Sequence, residues 1–414
     1  MTDLTWIDTA LKSARPQAMA ALLRYFRGDL DRAEEAFQES CLRALKHWPE
    51  KGPPRDPAAW LIFVGRNSGV DDARRRLRHV ALPDDDSLTT GEDVQTDMAE
   101  RLDGEQYRDD ILRLLFICCH PDLPNTQQIA LALRIVSGLT VVEIARAFLV
   151  SEAAMEQRIT RAKRRIGEGM VEFATPGAAD RAQRLSTVLA MVYLLFNEGY
   201  SASGGDAHIR APLCEEAIRL MRLLLRLFPA EPEVLGLTAL MLLQHARADA
   251  RLDDAGEIIL MEDQNRGLWD AALIGEGSAL LDQAMHHART GPYQVQAAIA
   301  ALHASAKTAQ ETDWAQIDRL YATLEVMTPS PVVTLNRAVA VSKADGPEAA
   351  LNLIAPLAAP LDGYFHFHGV SGALLKQLGR ADEARTAFNR AIALARTPAE
   401  AAHIRLHLDQ LSRG

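Results

Sequence analysis

Residues 139–166 read LTVVEIARAFLVSEAAMEQRITRAKRRI. Thr140 followed by Glu143 is a capping-box pattern: the hydroxyl and the carboxylate each satisfy the other's backbone N–H, so a helix starts there. Ile144 and Phe148 mark one apolar face. Leu149-Val150 makes a short turn, and Ser151 can cap a second helix. On that second helix Met155, Ile159, Ala162 and Ile166 recur at spacings of four, three and four, which turns them inward. Ala153, Glu156, Gln157, Thr160, Arg161 and Arg164 are left facing out. This is the layout of a helix-turn-helix, whose second helix enters the major groove of duplex DNA. Gln157 can hydrogen-bond base edges, while Arg158, Arg161, Lys163, Arg164 and Arg165 can neutralise phosphates. An ordinary pair of surface helices with a solvated basic end would carry the same pattern.

Upstream, residues 28–48, GDLDRAEEAFQESCLRALKHW, make an amphipathic helix. Ala33, Ala36, Phe37, Cys41, Leu42 and Leu45 are expected on its inner side, and Asp31, Glu34, Glu35, Gln38 and Glu39 on its outer side. Residues 57–79, PAAWLIFVGRNSGVDDARRRLRH, open with Pro57 at a helix start. Trp60, Phe63, Val64, Val70, Ala73 and Leu77 can pack inward, leaving Asn67, Asp71, Arg74, Arg75 and Arg78 on the opposite face. Residues 83–106, PDDDSLTTGEDVQTDMAERLDGEQ, hold nine acids and one arginine with no apolar stripe, and are expected to form an exposed linker. FATPGAA at 173–179 marks a further junction.

Beyond residue 180 nearly every segment reads as helix, and the end of the chain has a period. Ala304, Ala338 and Gly372 are spaced by 34, and Leu320, Ile354 and Phe388 follow each of them by 16. Ala350 and Ala384 keep that register. The last unit, YFHFHGVSGALLKQLGRADEARTAFNRAIALA, puts small residues where two helices must cross and Leu378-Gly379-Arg380 at the turn, as in a tetratricopeptide repeat (TPR). Such hairpins bury their apolar faces only by stacking on neighbours.

The whole chain of 414 residues fits this reading. With 48% hydrophobic and 24% charged residues it is of globular composition. Its net charge of −10 excludes a uniformly basic surface but not a local basic patch. Four cysteines cannot make a disulfide framework, the N-terminus MTDLTWIDTA lacks the positive charge of a secretion signal, and the apolar run Val188–Phe196 is too short for a bilayer span. These features point to a cytoplasmic protein. No catalytic set emerges, and no cofactor is implied. Cys118-Cys119-His120 lacks the paired spacing of a zinc site and reads as buried cysteines before Pro121, so no metal is expected.

The order of parts resembles the extracytoplasmic-function (ECF) sigma factors of bacterial RNA polymerase: an acidic-polar helix, a Trp-containing helix ending in arginines, an acidic linker, then a basic helix-turn-helix. FNEGYSASGG at 196–205, MEDQNRGLWD at 261–270, GPYQVQAAIAALHA at 291–304 and SPVVTLNRAVAV at 330–341 resemble the subgroup of that family with a long TPR-like extension. The resemblance implies an all-α chain. Residues 10–80 would be region 2, 81–106 the linker, 107–172 region 4, and 180–414 a TPR-like α-solenoid that regulates the rest. It further implies that Asp31, Glu34, Glu35, Gln38 and Glu39 dock on core RNA polymerase. Asn67, Asp71, Arg74, Arg75 and Arg78 would lie at the promoter's −10 element, where the strands part. Glu152, Gln157, Arg158, Arg161, Lys163 and Arg164 would serve the −35 element as duplex. In the extension, Glu198, Asp263, Arg266, Trp269, His303, Asn336 and Arg337 would line a groove for a peptide, a small ligand or the chain itself; satisfying helix ends and inter-repeat hydrogen bonds is the other role open to them. A DNA-binding regulator with a TPR-like sensor, or a TPR scaffold with no DNA function, are the rival readings.

Overall fold

In the computed structural model, residues 5–52, 54–77, 105–120, 123–148, 150–168, 178–200, 207–253, 259–395 and 398–413 are described. They form eighteen α-helices and no strand, in two compact units, Met1–Leu194 and Leu195–Gly414. The stretch expected as linker lies almost wholly outside the described residues; its last two residues, Glu105 and Gln106, already begin a helix.

The first unit opens with three mutually packed helices, α1 (Thr5–Tyr25), α2 (Leu30–Lys51) and α3 (Pro57–Leu77). Asp29 starts α2 by accepting from the Arg32 N–H at 3.1 Å. Asp56 starts α3 by accepting from the N–H groups of Ala58 and Ala59, with Pro57 in the first turn where no N–H partner is needed. Met19, Leu22 and Leu23, then Phe37, Ala44 and Trp48, then Leu61, Ile62 and Val64 fill the shared core. Each large apolar side chain so buried is worth about 1.5–3 kcal/mol. Gly65 is the close-approach point: a Cβ there would fall 3.1 Å from the Ala36 carbonyl oxygen and from the Leu22 side chain. Trp60, expected inside, is half-buried and meets the buried Trp48 edge-on at 5.4 Å.

The inner face of α2 differs from expectation. Leu30, Ala33, Glu34, Ala36, Phe37, Ser40, Ala44 and Trp48 are buried, whereas Leu42 and Leu45 are 58% and 48% exposed. The stripe follows the 3.6-residue drift from Ala33 to Trp48, and that drift carries the two leucines out to solvent.

The same unit continues with α4 (Glu105–Cys118), α5 (Asn125–Ala132), a π-turn over Leu133–Ser137, α6 (Val141–Ala147) and α7 (Glu152–Glu168). α4 packs on α1, where Arg24 pairs with the buried Asp110 at 2.8 Å. The π-turn also packs on α1. α8 (Ala178–Tyr200) follows.

The second unit continues with α9 (Ala207–Leu227), α10 (Pro232–His245), α11 (Ala271–Met285), α12 (Pro292–Ser305), α13 (Trp314–Met327), α14 (Pro331–Ala344), α15 (Pro347–Ile354), α16 (Phe365–Gln377), α17 (Ala381–Leu394) and α18 (Pro398–Arg413). Successive helices stack on one another, as the 34-residue spacing requires. Ala338, Ala350 and Ile354 share one core, and Ala384 and Phe388 share the next. At Gly372 the helices cross so closely that a Cβ would lie 2.6 Å from the Phe388 ring. One repeat earlier the register loosens: Ala304, in the last turn of α12, and Leu320 are only half-buried. Among the described residues no helix is long and apolar enough to cross a membrane.

Candidate functional site

The helix-turn-helix is built as its sequence dictates. The Glu143 N–H donates to Thr140 Oγ1 at 3.2 Å and the Thr140 N–H to Glu143 Oε2 at 2.7 Å. The Thr140 backbone bond, then its hydroxyl, hold the Glu143 carboxyl below the usual carboxylate range. Ser151 Oγ accepts from the Ala154 N–H at 3.3 Å and opens α7. Met155, Ile159, Ala162 and Ile166 are buried, so the apolar stripe fixes the rotation of α7. That rotation exposes Glu152, Glu156, Gln157, Thr160, Arg161, Arg164 and Arg165, and leaves Arg158 half-buried.

Lys163 sits differently. Its ammonium lies 2.8 Å from Glu34 and 2.9 Å from Asp31, both on α2. Burial alone would lower its pKa, but the hydrogen bonds and charges of the two carboxylates outweigh that and raise it. Glu34 is only 5% exposed, because cations from three places surround it. Arg134 of the π-turn is at 2.8 Å, Lys163 follows at the same distance, and Arg15 of α1 stands at 4.0 Å. Arg15 also donates to the carbonyls of Ile135 and Arg134 at 3.0 Å and stacks over Phe37 at 4.7 Å. Glu34, expected on the outer face of α2, is therefore buried in the first unit, and Lys163, expected to meet phosphate, is held by it.

The remaining outer face of α2 is a regular stripe. Asp31, Glu35, Gln38, Leu42 and Leu45 are all exposed and recur at four, three, four and three. Glu39 beside them is half-buried and pairs with Arg43 at 3.1 Å. Acids followed by two bare leucines thus share one exposed side of α2, at a spacing that can face a partner helix. The sequence pattern put Leu42 and Leu45 on the inner side, because an apolar residue in an amphipathic segment defaults to the core; both are exposed. On α3, Asn67 is half-buried. The side chains of Asp71, Arg74 and Arg75, and all of Arg78, lie outside the described residues.

Cys118 and Cys119 are buried, and burial pushes the Cys118 thiol up to about 12. Burial, then Cys118 itself, pushes Cys119 up as well. Neither is poised as a thiolate ligand. Among the described residues no three His, Cys, Asp or Glu side chains are placed to hold a metal ion.

In the second unit the expected groove residues separate. Arg266, Trp269 and His303 come together: Arg266 Cζ lies 4.6 Å from the Trp269 ring centre, and Arg266 donates to the His303 carbonyl at 2.5 Å. Arg337 instead ties α14 to α13 through Asp318 at 2.7 Å and Glu325 at 2.8 Å. Asp263 and Asn336 are exposed and Glu198 is half-buried. Arg247, Arg251 and Tyr200 join the cluster without having been expected there. Arg247 Cζ lies 5.7 Å from the Trp269 ring centre and 2.5 Å separates its Nη2 from the Tyr200 hydroxyl, while Arg251 stacks on the Tyr200 ring at 3.7 Å. In sequence the two arginines sit in HARADARLDD at 245–254, which reads as a solvated charge run.

Comparison with known proteins agrees with the geometry of the first unit. Residues 11–79 match sigma-70 region 2, and residues 113–166 match sigma-70 region 4. Residues 184–285 match a family of unknown function, DUF6596. An uncharacterized protein of Rhizobium meliloti (strain 1021) is 66% identical over 412 residues, 100% of this chain and 97% of that one. The ECF RNA polymerase sigma factor EcfG of Rhodopseudomonas palustris (strain TIE-1) is 29% identical over 139 residues, 34% of this chain and 71% of that protein. The ECF RNA polymerase sigma factor SigL of Mycobacterium tuberculosis is 29% identical over 163 residues, 38% of this chain and 87% of that protein. No solved structure matches. With regions 2 and 4 in this order and sigma factors among its relatives, the chain belongs to the ECF-type sigma factors.

Proposed function

We propose that this alternative sigma factor grips core RNA polymerase through the Asp31–Leu45 stripe of α2 and reads the −35 element with the exposed face of α7. The carrying observation is the stripe itself. A DNA-binding regulator has no need of two bare leucines aligned with acids on a helix far from its recognition helix in sequence. Acids give steering and register against a basic partner, and the leucines give the desolvated centre of the contact. On α7, Gln157 would select a base while Arg158, Arg161 and Arg164 hold the backbone. Asn67 with the arginines at the end of α3 would serve the −10 element.

The Glu34 cluster adds an order of events. Asp31 belongs both to the docking stripe and to the Lys163 pair, so docking at α2 competes with the hold on α7. The free chain would then bind promoter duplex weakly, and core polymerase would release the recognition helix. Anisotropy titrations of a labelled promoter duplex test this. Tight, salt-dependent binding is expected with core polymerase present and weak binding with the chain alone; equal binding in both arms would contradict it. The extension's regulatory role rests on its place in the same chain and its length, and truncation near residue 175 tests it through promoter activity.

A further inference from the structure

We propose that the second unit binds a small oxyanion, a carboxylate or phosphate group, at Arg247, Arg266 and Trp269. The site is separate from the polymerase and promoter surfaces and does not rest on that reading. Three guanidiniums gather here with no counter-ion: among the described residues no carboxylate oxygen lies within 4.0 Å of Arg247, Arg251 or Arg266. Their hydrogen bonds end on neutral acceptors instead. Arg247 donates to the Tyr200 hydroxyl, Arg251 to the Tyr200 carbonyl at 2.9 Å, and Arg266 to the carbonyls of His303 and Ala306. Arg247 is only 9% exposed. A buried charge is ordinarily paired, and among the described residues this one has no carboxylate partner.

Two further observations point the same way. The Trp269 ring, 7% exposed, lies against the guanidiniums of both Arg247 and Arg266, and its buried indole Nε1–H has no hydrogen-bond partner. A buried donor left unsatisfied beside two cations suits an acceptor that carries negative charge. The local potential is also felt by His303, whose pKa falls to about 4 through burial first and then through Arg247 and Arg266. Two acids of the surroundings are placed otherwise. Asp270 is committed to the N–H groups of Ala272 and Leu273 at the start of α11, and Glu311 acts on Arg266 without pairing with it. Arg251, Arg266 and His303 are half-buried, so a solute can reach the cluster, while the burial of Arg247 and Trp269 suits a small anion better than a macromolecule. A planar guanidinium fork offers the parallel donors that a carboxylate or phosphate accepts.

The test is calorimetric titration of the full chain with inorganic phosphate and, separately, with benzoate, at constant ionic strength against sodium chloride. Saturable binding to either is expected, and which of the two binds tells a phosphate-type ligand from a carboxylate-type one. Arg266→Lys, which keeps the charge but loses the fork, should weaken binding by about tenfold. Replacing Trp269 by its benzothiophene analogue, which keeps the bicyclic ring and exchanges only the N–H for sulfur, should weaken binding by about threefold while leaving the melting temperature in chloride unchanged or raised. No saturable binding beyond chloride, or equal affinity in wild type and both variants, would overturn the proposal.

Discussion

Lys163 and Glu34 lie 2.8 Å apart although 129 residues separate them in the chain. One is on the helix that would face DNA, the other on the helix that would face polymerase. Their contact, backed by Arg134 and Arg15, joins the two modules of the first unit through one buried carboxylate.

Removing either end of this contact should have unequal effects. Glu34→Ala leaves three cations around an empty site and should destabilise the first unit by about 3 kcal/mol or more. Lys163→Met leaves Glu34 with two cations and should cost about 1 kcal/mol. Denaturant unfolding followed by tryptophan fluorescence checks this, since Trp6, Trp48 and Trp60 all lie in α1–α3. Equal losses would mean that the cluster is not centred on Glu34.

Leu42 and Leu45 separate docking from folding. Because they are exposed, Leu42→Ala with Leu45→Ala should shift stability by no more than about 0.5 kcal/mol. The same pair should weaken core-polymerase affinity by about tenfold or more. Fluorescence-based titration of core polymerase reads this directly, and an unchanged affinity would move the docking surface elsewhere.

On α7, two substitutions should differ in kind. Gln157→Ala should relax preference at one base pair, by about 1–3 kcal/mol of discrimination. Arg161→Ala should weaken all sequences alike and reduce the salt slope by about 1. Competition among single-position promoter variants, repeated over a range of salt, distinguishes them.

His303 predicts an acid limit for the second unit. Its folded pKa, about 4, lies below the unfolded value of about 6.5. The unfolded chain therefore takes up the proton first as pH falls. The stability associated with the neutral ring is fully present above about pH 6.5 and is lost toward pH 4, by up to about 3 kcal/mol. His303→Gln should flatten the fall in denaturant midpoint across that window; a curve as steep as wild type would assign the fall to other groups.

The helix-turn-helix was legible because everything that fixes it is local: a capping box, a serine cap and an apolar stripe at helical spacing. The stacked helices after residue 195 were legible where small residues meet large ones, as Gly372 meets Phe388. The burial of Glu34 was not legible, since its cations come from α1, the π-turn and α7. The exposure of Leu42 and Leu45 was not legible either, since local periodicity assigns every leucine to the molecule's own core. The Arg247–Trp269 cluster was half-visible, because Trp269 stood out but its arginines were hidden in a charged run.

The most direct measurement is transcription in vitro by core polymerase on a pool of promoters, with the intact chain, with the Leu42→Ala/Leu45→Ala variant, and with no added protein. Discrete start sites that depend on the intact chain and fade with the leucine variant are predicted. A transcript pattern that is the same in all three reactions would contradict the account.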